Sequence, residues 1–267
     1  MAKRPLRVAV VCEDKAHVHL AYVLADAVAR QHLGLGPDQP LEAWRRWQGE
    51  EGQPTLKLKD VSKTLRAQRV PSGRPLFRSR RTLEVPEGEA APMIDAYEVF
   101  ATLEDPPDAV IVLTDADKMG KERRDGATLA HQHVNALAKR RVPVFVVGVC
   151  DPMAEGWLIT LLADVEPVRA RRLLAKSALG YDPAVRSERL STDDKQQHHA
   201  KRVAHFLLDA EHATLQRAPA TTPNEAAYRH HLEAVVVSVS ALEDHEGCGL
   251  AGFVARLREN YAPQLGR

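Results

Sequence analysis

Carboxylates gather where the apolar runs of this chain stop. The stretch PDAVIVLTDADKMG (107–120) starts as a buried strand, Ala109 to Leu113, and passes into Asp115 and Asp117, with Gly120 soon after. Glu13 and Asp14 follow the run VAVVC, Asp151 follows FVVGVC, and Glu155 comes shortly after Asp151. An open parallel sheet binds its ligands at the carboxyl ends of its strands, so neighbouring strands would bring these acids to one edge. Carboxylates held close repel one another and need a bound cation or shared protons. An all-oxygen donor set suits a hard ion, Mg²⁺ or Mn²⁺, and such an ion can polarise a phosphoryl oxygen and activate water. Glu13, Asp115 and Asp117 are therefore the candidate catalytic residues, and together with Glu155 the candidate metal ligands. Each acid alone has a plainer reading, because acids after strands form turns and cap helices. Asp14 and Asp151 are read that way, and Glu155 would be favoured by the dipole of the helix it opens.

The elements that would position these residues follow from hydrophobic period. LRVAVVC (Leu6 to Cys12), DAVIVLT and VPVFVVGVC read as buried parallel strands. AHVHLAYVLADAVARQHL, APMIDAYEVFATLE, GATLAHQHVNALAKRR and MAEGWLITLLADV read as the helices around them. The alternation predicts an α/β domain over about residues 1–165, with a mainly parallel sheet flanked by helices. Residues 35–90 read as a polar, irregular insertion with short strand-like pieces, PTLKLKDV and RTLEVP. Residues 166–267 read as mostly helical, with one helix opening at the N-cap candidates Ser191 and Thr192 and another through NEAAYRHHLEAVVVSVSALED, of which VVVSVS also fits a strand.

Composition narrows the class. The 267 residues are 44% hydrophobic and 27% charged, ordinary for a globular chain with a real core. The net charge of +1 imposes no whole-protein field, so partners must be read from local charge. The three cysteines form no CxxC, which speaks against a disulfide framework or zinc knuckle and for a reducing cytoplasm. The first apolar run, about six residues, is too short for a signal peptide. No window approaches the ~20 apolar residues of a membrane span.

A glutamate ending the first strand, followed by a strand ending in TDADKMG, resembles the TOPRIM domain of topoisomerases, primases and nucleases of the overcoming-lysogenisation-defect type. CDPMAEGWLI is similar to an acidic-then-Trp segment of small bacterial TOPRIM-like proteins, which brings in Glu155 and Trp157. The resemblance implies a TOPRIM-like, Rossmann-like sheet, Mg²⁺ held by Asp115 and Asp117, and Glu13 in metal binding or acid–base work on phosphodiester bonds. The chain shows no tyrosine nucleophile context, zinc ribbon or P-loop. A hydrolytic nuclease is the family role that remains, with anti-phage defence its implied setting. Asp14 stands where the family usually has glycine. This supports an alternative: a non-catalytic relative that binds nucleic acid or a partner protein.

A basic segment supplies a surface for phosphates. Between Lys57 and Arg81 lie Lys57, Lys59, Lys63, Arg66, Arg69, Arg74, Arg78, Arg80 and Arg81 against one acid, Asp60. Such a segment is drawn to a nucleic-acid backbone by counterion release, and Pro and Gly within it suggest a loop or hairpin. RARRLLAK (169–176) is a second basic cluster. Phe77 alone among the first cluster's residues is aromatic, too little for a single-strand stacking platform. Among the twelve histidines, His198–His199, His230–His231 and the pair His131 and His133 have the wrong spacing for a shared helix face, and no histidine metal site is expected. Lys195 reads as a surface lysine at a helix start, Trp157 as core, and Cys12 and Cys150 as buried. A third reading, a phospho-receiver-like signalling domain using Glu13 and Asp115, is opposed by the long interval between them and by the lack of a lysine after the next strand.

Overall fold

In a computed structural model of the chain, residues 4–49, 52–72, 88–137, 143–209, 211–235, 237, 239–242, 245 and 247–266 are described. The fold is α/β, Rossmann-like, with a parallel sheet flanked by helices and a helical C-terminal part. Strand β1 (Leu6–Cys12) is central. It pairs in parallel with β4 (Ala109–Asp115), which pairs in parallel with β5 (Val144–Cys150). Its other edge is shared by two short strands: β2 (Arg45–Trp47) beside Leu6–Val8, and β3 (Leu56–Lys57) beside Val11 and Cys12.

The side-chain alternation of these strands builds two cores. Val8, Val10, Cys12, Ile111, Leu113, Val146 and Cys150 face one layer, and Ala9, Val11, Val110, Val112, Phe145, Val147 and Val149 face the other. Every residue of β4 is buried, as expected of a strand covered on both faces. The second layer holds α2 (Val61–Ser72), α3 (Ala91–Ala101) and α4 (Gly120–Leu137). The first holds α1 (Lys15–Leu33) and α5 (Ala154–Leu161), and the same apolar cluster runs on through α6 (Val168–Leu179), α7 (Ala200–Leu208), α8 (Glu225–Ala234) and α9 (Leu250–Arg256). Gly148 permits this closure. A Cβ there would lie 2.6 Å from Phe253 of α9 and 2.7 Å from Leu113, so only glycine lets the C-terminal helices lie this close to β5.

Several expectations change. The basic segment is not a loop where it is described: β3 leads through a 3₁₀ turn (Leu58–Asp60) into α2. Val61 and Leu65, one turn apart and buried, anchor that helix to the sheet, a two-point apolar stripe hidden among the basic residues. RTLEVP lies outside the described residues. The helix expected from Ser191 begins at Ala200, because Ser191 and Asp193 spend their side chains on turns, accepting from the backbone N–H of Asp193 and Lys195. Lys195 therefore lies in a turn and opens no helix. The helix through VVVSVS stops at Ala234, after Asn224 caps its start, and a 3₁₀ turn follows at Val239–Leu242. Among the described residues no helix is long and apolar enough to cross a membrane.

Candidate active site at the carboxyl end of the sheet

The register places Cys12 beside Leu113 and Asp115 beside Cys150, so the acids after β1, β4 and β5 do meet at one edge. The chain then threads tightly. Ala116 N–H donates to Cys150 O and Asp117 N–H to Pro152 O, which ties the DxD turn to the β5 turn. Asp117 adopts a left-handed backbone, φ 49°, which a β-carbon disfavours and Asp tolerates better than most residues. Gly120 follows because α4 starts against Asp151: a Cβ there would sit 3.2 Å from Asp151 Oδ2.

The carboxylates divide into a buried and an open set. Asp115 is buried; its Oδ1 accepts from Ala154 N–H at the start of α5 (2.6 Å) and lies 3.0 Å from His17 Nε2. The other His17 nitrogen, Nδ1, lies 2.8 Å from Asp14 Oδ1, and Asp14 also caps α1 by accepting from His17 N–H. His17 is wholly buried between two carboxylates. Burial alone would lower its pKa, but the charge and hydrogen bonds of Asp115 and Asp14 outweigh that and hold it well above the ordinary imidazole value. Both ring nitrogens of His17 thus face carboxylates, which favour its protonated form. Burial opposes the charge of Asp14 too, yet the bonds and charge of His17 bring its carboxyl down to about 2. Glu155, buried in the first turn of α5, is pushed up to about 7 by burial first and then by Asp115, with Lys201 pulling the other way.

Glu13, Asp14 and Asp117 are open, their side chains 35%, 48% and 50% exposed. Thr114 Oγ1 donates to Glu13 Oε1, and Asp115 N–H donates to the same oxygen at 3.4 Å. Between Glu13 and Asp117 lies Arg123 of α4. Its Nη1 is 3.9 Å from Glu13, 3.6 Å from Asp117 and 2.7 Å from Asp115 O, and its Nε is 2.8 Å from Glu89. One guanidinium thus fills the gap between the ends of β1 and β4.

Of the expected metal ligands, Glu13, Asp115 and Asp117 share this edge, while Glu155 is sealed beneath it. Among the described residues, three or more candidate ligand atoms lie within 4.8 Å of one another twice, at His17/Asp115/Cys150 and at His205/Asp209/His212, and the Glu13, Asp115, Asp117 trio is not so gathered. In the first group both His17 nitrogens already face carboxylates, Nδ1 on Asp14 and Nε2 on Asp115, and burial, then Asp115, raises the Cys150 thiol well above its ordinary value. Asp14 is the helix cap expected of it, while Asp151 pairs with Arg124 of α4. Trp157 is core and donates to Cys248 O at 2.8 Å.

Lys57, Lys59, Lys63 and Arg66 are exposed, and the pairing of Lys57 with Cys12 sets the start of this row beside Glu13. The Arg69 side chain and the whole of Arg74, Arg78, Arg80 and Arg81 lie outside the described residues. The second basic cluster is spent within the chain: Arg169 pairs with Glu166, Arg172 with Asp182, and Arg171 donates to the carbonyls of Asp209 and His212.

Sequence reasoning missed His17, Thr114 and Arg123. A signal existed for the first. His17 continues the buried stripe Leu20, Leu24, Val28 of α1, and a polar residue in a core stripe requires a buried partner. No local pattern marks Arg123. Compared with protein-family models, curated proteins and solved structures, the chain matches none.

Proposed function

We propose that the carboxyl edge of the sheet is a Mg²⁺- or Mn²⁺-dependent phosphodiester-hydrolysing site acting on DNA or RNA, in the manner of a TOPRIM-like nuclease. The observation that carries this reading is that Glu13 and Asp117, from the ends of adjacent parallel strands, bracket a single cation position, taken here by Arg123 Nη1. The donors fit a hard divalent ion, since both are exposed carboxylates with no thiolate or free imidazole beside them. Glu13 and Asp117 would hold the ion, which supplies polarisation of a phosphoryl oxygen and activation of water. Asp115 anchors the turn through His17 and Ala154 rather than facing solvent. Arg123 would have to swing off Glu13 and Asp117 to admit the ion, and its guanidinium would then be free to meet a non-bridging phosphate oxygen. The exposed lysines begin at Lys57, paired with Cys12 next to Glu13, and each would contribute to nucleic-acid binding that weakens with salt.

Arg123 also favours a second reading. It already neutralises Glu13 and Asp117 from within the chain, so the edge can persist without metal as a non-catalytic surface for nucleic acid or a partner protein. Labelled single- and double-stranded DNA and RNA, incubated with Mg²⁺ or Mn²⁺, separate the two. Cleavage by wild type that is lost in Glu13→Gln and Asp117→Asn supports the hydrolytic reading. Binding without cleavage, unchanged by metal, overturns it in favour of the second.

A further inference from the structure

We infer that His205, Asp209 and His212 form a separate cation site, fitted to a divalent transition-metal ion of the Zn²⁺ class. His205 lies in the last turn of α7, Asp209 is its C-cap and His212 lies three residues beyond the cap, a spacing of i, i+4 and i+7. One ligand atom from each lies within 4.8 Å of the others, and Asp209 Oδ2 is 3.5 Å from His212 Nε2. That separation suits two ligands on one tetrahedral ion with bonds of about 2.1 Å.

The surroundings hold the three in place. Asp209 Oδ1 accepts from Glu211 N–H at 2.9 Å, which fixes the carboxylate and leaves Oδ2 to face His212. His205 Nε2 lies 3.2 Å from Thr221 Oγ1, an outer contact of the kind that sets a ligand imidazole's tautomer. Arg171 reaches across from α6, stacks on Phe206 at 4.3 Å and donates to the carbonyls of Asp209 and His212, so it clamps the loop backbone without taking the carboxylate. All three ligands are partly exposed, which leaves an ion a way in and a position for water. Two imidazoles and one carboxylate favour Zn²⁺ or its neighbours over Mg²⁺. The site is therefore distinct in both place and metal from the sheet edge.

The full chain, stripped with chelator and titrated with Co²⁺ at pH 7, tests this. With excess Mg²⁺ present to fill the sheet edge, one equivalent of Co²⁺ should bind with visible d–d absorption and no thiolate charge-transfer band. His205→Ala and His212→Ala should each weaken binding by more than the about 10–100-fold that losing an outer partner costs, and Thr221→Val by about tenfold. Asp209→Asn keeps the side-chain shape and reads the site if an alanine variant fails to fold by circular dichroism. No stoichiometric Co²⁺ binding, binding unchanged in these variants, or a thiolate band that vanishes in Cys150→Ser would each overturn the assignment.

Discussion

His17 and His205 each stand near an aspartate, yet the fold treats them oppositely. His17 lies sealed between Asp14 and Asp115, both ring nitrogens face carboxylates, and it carries charge well above the pH at which a free imidazole loses it. His205 is half-buried, has a hydroxyl on Nε2, and burial pushes its pKa down. The same residue type is thus held by a carboxylate on each nitrogen at the sheet edge and by a hydroxyl on one nitrogen at the end of α7. The difference teaches that what faces the ring decides its chemistry more than the presence of an acid nearby.

The largest expected effect removes one wall of the buried pair. Asp115→Ala leaves an imidazolium in the core with one carboxylate and frees Ala154 N–H, at a cost of about 3–5 kcal/mol by urea unfolding. A loss below about 1 kcal/mol would show that His17 discharges easily and would erase the contrast.

Glu155→Gln comes next. In the fold Glu155 holds its proton up to about pH 7, against 4.5 when free. The folded state binds more protons in that window, so wild-type stability should fall as pH rises from 4.5 to 7. Glu155→Gln should remove that slope and gain on the order of 3 kcal/mol above pH 7. An unchanged slope would mean that Glu155 is solvated.

In that Glu155→Gln background the Asp14–His17 link becomes visible at both ends of the pH scale. The folded-state pKa of His17 is raised, so its contribution is complete below about 6.5 and lost as pH rises through the higher folded value. That of Asp14 is lowered, so its contribution is complete above 3.8 and lost as pH falls towards about 2. Proton-detected titration of the imidazole signals should then place His17 above the free value and His205 below it. The reverse order would break the comparison outright. Smallest of all, Asp209→Ala in metal-free protein should cost under about 1 kcal/mol, since its pair with His212 is partly exposed.

The sequence alone determined the three main strands, their acid tips, the parallel sense of the sheet and the helical C-terminal part, while the order of the strands came from the fold. Runs such as VAVVC and AVIVLT carry the local period that both-face burial demands. It also offered Glu13, Asp115 and Asp117 as neighbours at one edge should their strands be adjacent, and the pairing of β1 with β4 met that condition. Tertiary structure decided which carboxylates are open and which are sealed. That outcome rests on His17 meeting Asp115 and on Arg123 spanning Glu13 and Asp117. The two acids lie about a hundred residues apart in the chain, a separation that no periodicity reports. Helix limits were decided the same way. Val61 and Leu65 docking on the sheet made a helix of a segment whose basic residues read as loop, while Ser191 and Asp193 closed turns where a helix start was legible. Local pattern expresses the preference of a segment for water or core; which charges meet is set only when the layers close and their desolvation has to be balanced.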